Sequence, residues 1–207
     1  MKTILFQGDS ITDADRCREN DDYMGAGYAV MTAGMVGVSS PGQYNCLNRG
    51  ISGNRSVDLY ARVKCDIINL KPDILTILIG INDTWHELEH QNGVSAERYE
   101  TLLDLLICDV KDALPNIKIV LLEPFVMTGS GTEKYYDAFA RDVAQRQIVC
   151  RHLVKKYALT FVPLQEMLEE FEVNHPGAKV LLDGVHPNYT GHKLMADALF
   201  HALQPIL

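Results

Sequence analysis

The sequence predicts a three-layer α/β/α sandwich around a five-stranded parallel sheet, and two observations carry that expectation. Five short apolar runs rich in β-branched residues recur along the chain, and amphipathic helical patterns fill the intervals between them. Alternation of this kind implies parallel strands covered by helices on both faces, because each crossover returns the chain over the sheet.

The first run, residues 3–6, leads into Gly8-Asp9-Ser10, where a strand is expected to give way to a helix. A helix over residues 28–36 precedes the second run at 44–47, and another over 57–68 precedes the third at 74–79. Tyr99, Leu102, Leu103, Leu106, Val110 and Ala113 then fall on one helical face before the fourth run at 117–122. Tyr136, Phe139, Ala140, Val143, Cys150, Leu153, Val154 and Tyr157 form a second such face ahead of the fifth run at 159–162. Helices over 165–171 and 190–203 close the pattern, the last with Thr190 as its expected N-cap. With 207 residues, the chain is expected to form one domain spanning positions 1–207.

Composition narrows the function. With 47% hydrophobic and 22% charged residues the chain has the make-up of a folded, soluble protein. A net charge of -8 disfavours a nucleic-acid partner, since phosphate binding depends on an excess of Lys and Arg. The apolar start, residues 1–6, is too short for a signal-peptide core, and no later run approaches a membrane span, so a cytoplasmic location with no membrane partner is expected. Cys17, Cys46, Cys65, Cys108 and Cys150 are odd in number and contain no C-x-x-C pair; they are expected to be reduced, with Cys46 and Cys108 acting as small hydrophobes.

In open parallel sheets ligands bind beyond the carboxyl ends of the strands, so the residues after each run are where chemistry belongs. Those residues are Gly8-Asp9-Ser10, Asn48-Arg49-Gly50-Ile51-Ser52-Gly53-Asn54, Gly80-Ile81-Asn82-Asp83, Glu123-Pro124-Phe125 and, one helix beyond the last run, Asp183-Gly184-Val185-His186-Pro187. Each block alone has an ordinary reading. Gly-Asp-Ser makes a turn with a capping serine, Gly53 a turn, Asn82-Asp83 a turn or cap, and D-x-x-H a surface loop or a pair of metal ligands. Together they supply what acyl transfer needs. Ser10 is a hydroxyl nucleophile, His186 a base, and Asp183 a carboxylate to orient it. The backbone N–H groups of Ser10 and Gly53 and the side-chain amide of Asn82 are three donors for an oxyanion.

In their order, these four blocks resemble the SGNH or GDSL-type hydrolases, named for a serine, a glycine, an asparagine and a histidine in separate segments. The resemblance spans nearly the whole chain, with Ile11 where the short family name has leucine. It implies a flavodoxin-like five-stranded parallel sheet, Ser10, Asp183 and His186 as catalytic residues, Ser10, Gly53 and Asn82 as the oxyanion hole, and no metal or organic cofactor. G-x-S-x-G of the α/β-hydrolases is absent. The extended blocks are most similar to the intracellular acetylxylan esterase branch, which implies a small acetyl ester of a carbohydrate as partner. Trp85, close behind the asparagine block, is placed either to stack on a sugar ring in the pocket or to pack in the core. A lipid or thioester acylhydrolase with the same residues, marked by a larger apolar pocket, and a non-catalytic carbohydrate-binding protein on the same fold are the rival expectations. Glu172 and His175 form a second acid–histidine pair to be excluded, and Arg16, Arg49 and Arg55 are expected in ion pairs on solvated loops. Self-association as a homo-oligomer is compatible with the sequence.

Overall fold

The computed structural model describes all residues, Met1–Leu207. Five strands, β1 (Lys2–Gly8), β2 (Tyr44–Asn48), β3 (Ile74–Leu78), β4 (Lys118–Leu122) and β5 (Thr160–Val162), form one sheet in the order β2-β1-β3-β4-β5, and every neighbouring pair is parallel. The strands are short and nearly continuous in apolar residues because both faces are covered. Alternate side chains divide between two cores. Ile4, Phe6, Ile74, Leu78, Val120 and Leu122 belong to one, Leu5, Leu75, Ile77, Ile119 and Leu121 to the other.

Helices α2 (Tyr28–Ser39), α8 (Gln165–Asn174) and α9 (Tyr189–Leu203) contribute to the first core, and α3 (Ser56–Ala61) and α6 (Ala96–Ala113) to the second. The 22-residue α7 (Tyr136–Tyr157) serves both, through Phe139 and Val143 on one side and Val149, Cys150 and Leu153 on the other. These layers form the expected α/β/α sandwich. All five cysteines are unpaired. No helix is long and apolar enough to cross a membrane.

Four local features differ from the sequence reading. The segment expected as one helix over 57–68 is broken into α3, α4 (Val63–Asp66) and a 3-10 turn, Ile68–Leu70. The break falls at Arg62, whose guanidinium turns inward to donate to Gln7 Oε1, Asn54 Oδ1, Asp66 Oδ2 and the carbonyls of Gly8 and Arg49. The cap of α9 is Asn188, not Thr190: its Oδ1 accepts from the N–H groups of Thr190 at 2.9 Å and Gly191 at 3.0 Å. Helix α5 (Ile81–His90), not expected at all, starts directly at the asparagine block. The helix after Ser10, α1 (Ser10–Asp13), is a single turn, so individual peptide N–H groups matter there and no long dipole does.

Candidate active site

The strand order reverses around β1, with β2 on one side and β3 on the other, which opens a crevice at their carboxyl ends. Ser10 emerges there. Gly8 is needed for a different reason than a turn: a Cβ on it would lie 2.3 Å from both Leu78 O and Thr12 Oγ1, so only glycine lets β1 pass this close to β3 and α1. Asp9, not the serine, is the N-cap of α1, accepting from Ile11 N–H at 3.0 Å. That division of labour leaves the Ser10 hydroxyl free for other work.

Ser10 Oγ stands 2.9 Å from His186 Nε2, and His186 Nδ1 stands 2.7 Å from Asp183 Oδ2. A carboxylate only accepts, so Nδ1 carries the proton and Nε2 presents its lone pair to the serine hydroxyl. The other oxygen, Asp183 Oδ1, accepts from the backbone N–H groups of Val185 at 2.9 Å and His186 at 2.8 Å. Burial raises the Asp183 carboxyl, but the hydrogen bonds from the His186 side chain and from these two peptide groups overcome it and hold the pKa at about 2. The same Asp183 hydrogen bond raises His186 above its ordinary value, against the opposing effect of burial.

The loop that carries this pair is held from behind. Leu182 N–H donates to His186 O at 2.8 Å and closes the loop, while Met127 N–H donates to Gly184 O and Gly131 N–H to Asp183 O from the segment after β4. Gly184 has φ +98°, and a Cβ there would lie 2.5 Å from both Met127 O and Thr132 Oγ1. Trp85 packs edge-on against Phe139 at 5.8 Å and has its ring centroid 5.9 Å from that of His186. It flanks the imidazole.

The expected oxyanion donors lie beyond the ends of three strands, β1, β2 and β3. Ser10 N–H, the first of α1, and Gly53 N–H, after β2, make no hydrogen bond within the protein. Asn82 is buried at the start of α5, and its Nδ2 donates to Asn54 O at 3.1 Å, which ties this block to the glycine loop and leaves one amide hydrogen unspent. Ser52 N–H donates to Asp13 Oδ2 at 3.0 Å, and Asn48 bridges Gly50 N–H to the carbonyls of Thr12 and Met24, so the loop is fixed against α1.

A family model for the GDSL-like lipase/acylhydrolase family matches residues 6–194. The chain belongs to this family. It is 32% identical to an acetylxylan esterase of Geobacillus stearothermophilus over 97% of this chain and 93% of that one. The fold superposes with a TM-score of 0.86 on the structure of Axe2, an acetylxylan esterase from the same organism, at 30% identity over 98% of this chain and 94% of the other. It superposes at 0.89 on a protein of the GDSL-like lipase type from Parabacteroides merdae, at 36% identity over 97% and 94%. Catalytic mutants of Axe2 in which a serine or an aspartate is replaced by alanine are also among the similar structures. Its family makes this protein a carboxylic ester hydrolase.

Other residues of this GDSL-like hydrolase stand as follows. His175 accepts no acid partner: its Nδ1 pairs with Phe171 O, its ring stacks on Phe171, and Glu172 binds Lys179 and Val180 N–H. Arg49 is paired with Asp21, Arg55 with Asp58, and Arg16 with Gly50 O. No cluster of three or more His, Cys, Asp or Glu could hold a metal ion.

Three polar residues near the site had no role in the sequence reading. Burial pushes the Asp9 carboxyl up to about 7, and its Oδ2 has no partner. Asp83, fully buried beside Asn82, is pushed by burial to about 6 and accepts from Ser56 N–H and Oγ–H. His192 accepts from Tyr28 N–H at its Nδ1, and burial, followed by the proximity of His186, lowers it to about 4. Its position four residues into α9 gave no motif, yet it lines the hollow in front of Ser10.

Proposed function

We propose that this protein is a serine esterase that removes short acyl groups, above all acetyl, from carbohydrate esters such as acetylated xylo-oligosaccharides. The observation that carries it is the unbroken chain from Ser10 Oγ through the His186 ring to Asp183 Oδ2, 2.9 Å and 2.7 Å. His186 takes the serine proton as Oγ attacks the ester carbonyl, and Asp183 holds the tautomer and stabilises the imidazolium. Ser10 N–H, Gly53 N–H and the Asn82 amide receive the oxyanion. Collapse passes the proton from His186 to the leaving sugar alcohol and leaves an acyl-enzyme, which water attacks with the same histidine as base. The residues provide each proton-transfer group this scheme requires.

The short acyl preference is supported by the hollow at Ser10, about 250 Å³ and bordered by Asp13, Ser52, His186 and His192, with Ile11 and Ala14 among its few apolar residues. A long acyl chain would need the extended apolar lining that is missing there. The unpaired cysteines support a reducing compartment, and with it an imported oligosaccharide as substrate; a secreted active form would overturn that part of the reading.

Replacing Ser10 by alanine tests the assignment. Turnover of p-nitrophenyl acetate is expected to fall by roughly ten-thousand-fold or more with the thermal melt unchanged. Full activity in a folded Ser10→Ala protein refutes it. Comparing acetyl with octanoyl p-nitrophenyl esters, and acetyl release from acetylated xylo-oligosaccharides, decides between the carbohydrate and lipid readings.

A further inference from the structure

Beside the hollow at Ser10 lies a second one of about 400 Å³, and the two share Ala14, Asp15, Pro187 and His192 as a common wall. Its outer rim is Leu182 and Tyr189, large apolar side chains left 72% and 79% exposed. Exposed side chains of this size side by side at the mouth of a site ask for an occupant. We infer that this hollow is the subsite for the alcohol part of the ester, binding a pyranose ring against Tyr189 with its hydroxyls on Asp15 and His192. This rests on the esterase reading given above and adds to it where the sugar sits.

The chemistry of the wall selects a polyol over a lipid. The Asp15 carboxylate has no hydrogen-bond or ion-pair partner within the protein, so it is free to accept from sugar hydroxyls. His192 has its Nδ1 occupied by Tyr28 N–H, which fixes the proton on Nε2 and makes that nitrogen a donor. An acceptor and a donor lining the same hollow as an aromatic ring match the hydroxyls and C–H face of a pyranose, whereas an alkyl chain would desolvate both polar groups without replacing their hydrogen bonds. Asn188, also in this wall, is already committed to capping α9 and to Lys179 O.

Position agrees with this role. His186 delivers the proton to the leaving alcohol, and Pro187, the next residue, lines both hollows, so the alcohol departs on this side. The wall is also built under strain. Ala14 and Asp15 are consecutive non-glycine residues in the left-handed region, φ 41° and 62°, held there by Ala26 N–H donating to Ala14 O and Arg16 N–H donating to Asp13 O. Such strain is retained where it aims a side chain, here Asp15.

Xylotriose without acetyl groups is the probe, titrated as an inhibitor of p-nitrophenyl acetate hydrolysis and by calorimetry. Competitive inhibition is expected in the wild type, weakened about five- to tenfold in Tyr189→Ala and retained in Tyr189→Phe, which keeps the ring. Asp15→Asn, whose side chain tolerates the left-handed backbone, is expected to weaken xylotriose as well. For acetylated xylotriose the Tyr189→Ala change should appear in KM and not in kcat. Wild-type affinity in Tyr189→Ala, or no binding of xylotriose to an enzyme that still turns over p-nitrophenyl acetate, overturns the subsite. Failure of the esterase reading is seen separately, as Ser10-independent turnover.

Discussion

Replacing Asp183 by asparagine tests the tautomer on which the mechanism depends. In the wild type the carboxylate accepts three hydrogen bonds, two from the peptide N–H groups of Val185 and His186 on Oδ1 and one from the imidazole on Oδ2. The two peptide donors will keep the amide oxygen of the variant, so its NH2 group must face Nδ1. Two donors cannot share that contact, and the proton moves to Nε2, where it blocks acceptance from Ser10 Oγ 2.9 Å away. The ion pair is lost as well. Asp183 lies near 2 against an ordinary 3.8, roughly two pKa units or about 2–3 kcal/mol in favour of the charged pair, reduced toward about 1–2 kcal/mol by the 27% exposure of the side chain. Wrong tautomer and lost charge together should lower kcat by about ten-thousand-fold, or about 5.5 kcal/mol of barrier. Steady-state hydrolysis of p-nitrophenyl acetate, with a thermal melt to confirm the fold, measures it. A kcat within tenfold of wild type refutes the assigned roles of Asp183 and His186.

Other perturbations follow from the same geometry. Because Asp183 raises His186 above its ordinary 6.5, kcat/KM should fall as pH drops through an apparent pKa above 6.5; an acid limb centred below pH 6 contradicts the hydrogen bond that raises it. Asp9 keeps its proton in the folded chain up to about pH 7 but loses it near 3.8 when unfolded, so its contribution to stability falls between pH 4 and 7 and is least above pH 7. Asp9→Asn, which retains the cap oxygen for Ile11, should therefore gain on the wild type by about 2–4 kcal/mol between pH 4 and pH 8 in urea unfolding, and parallel curves would show that Asp9 is ionised throughout. Gly184→Ala places a Cβ 2.5 Å from two oxygens at φ +98°, so the acid–base loop must shift; kcat should drop about a hundredfold or more, and an unaffected kcat would mean that the loop need not be fixed.

All five strands were legible in the sequence because a strand buried on both faces is an uninterrupted apolar run, and its ends moved by at most two residues. Helix α5 was hidden because Ile81–His90 is largely polar and opens on Asn82-Asp83, a pair that equally makes a turn. The break at Arg62 depends on long-range hydrogen bonds to β1 and its flanking loop, which periodicity does not register. At the site, Ser10, Gly53, Asn82, Asp183 and His186 could be read from motif order, and the structure puts Ser10, His186 and Asp183 in one hydrogen-bonded chain. Asp9 as the cap, Asp83 beneath the asparagine and His192 in the wall depend on burial and on partners distant in sequence. The last is a histidine without a carboxylate, a pattern that carries no signal until Tyr28 N–H is seen to fix its tautomer.

The hydrogen bond between Ser10 and His186 closes a span of 176 residues. During synthesis at about 5–20 residues per second, roughly 10–35 s separate the appearance of Ser10 from that of His186. On the proposed roles of these residues, esterase turnover waits until the segment through Pro187 has docked. A chain interrupted anywhere before Asp183 lacks both acid and base and, on the roles proposed for Asp183 and His186, is inactive as an esterase.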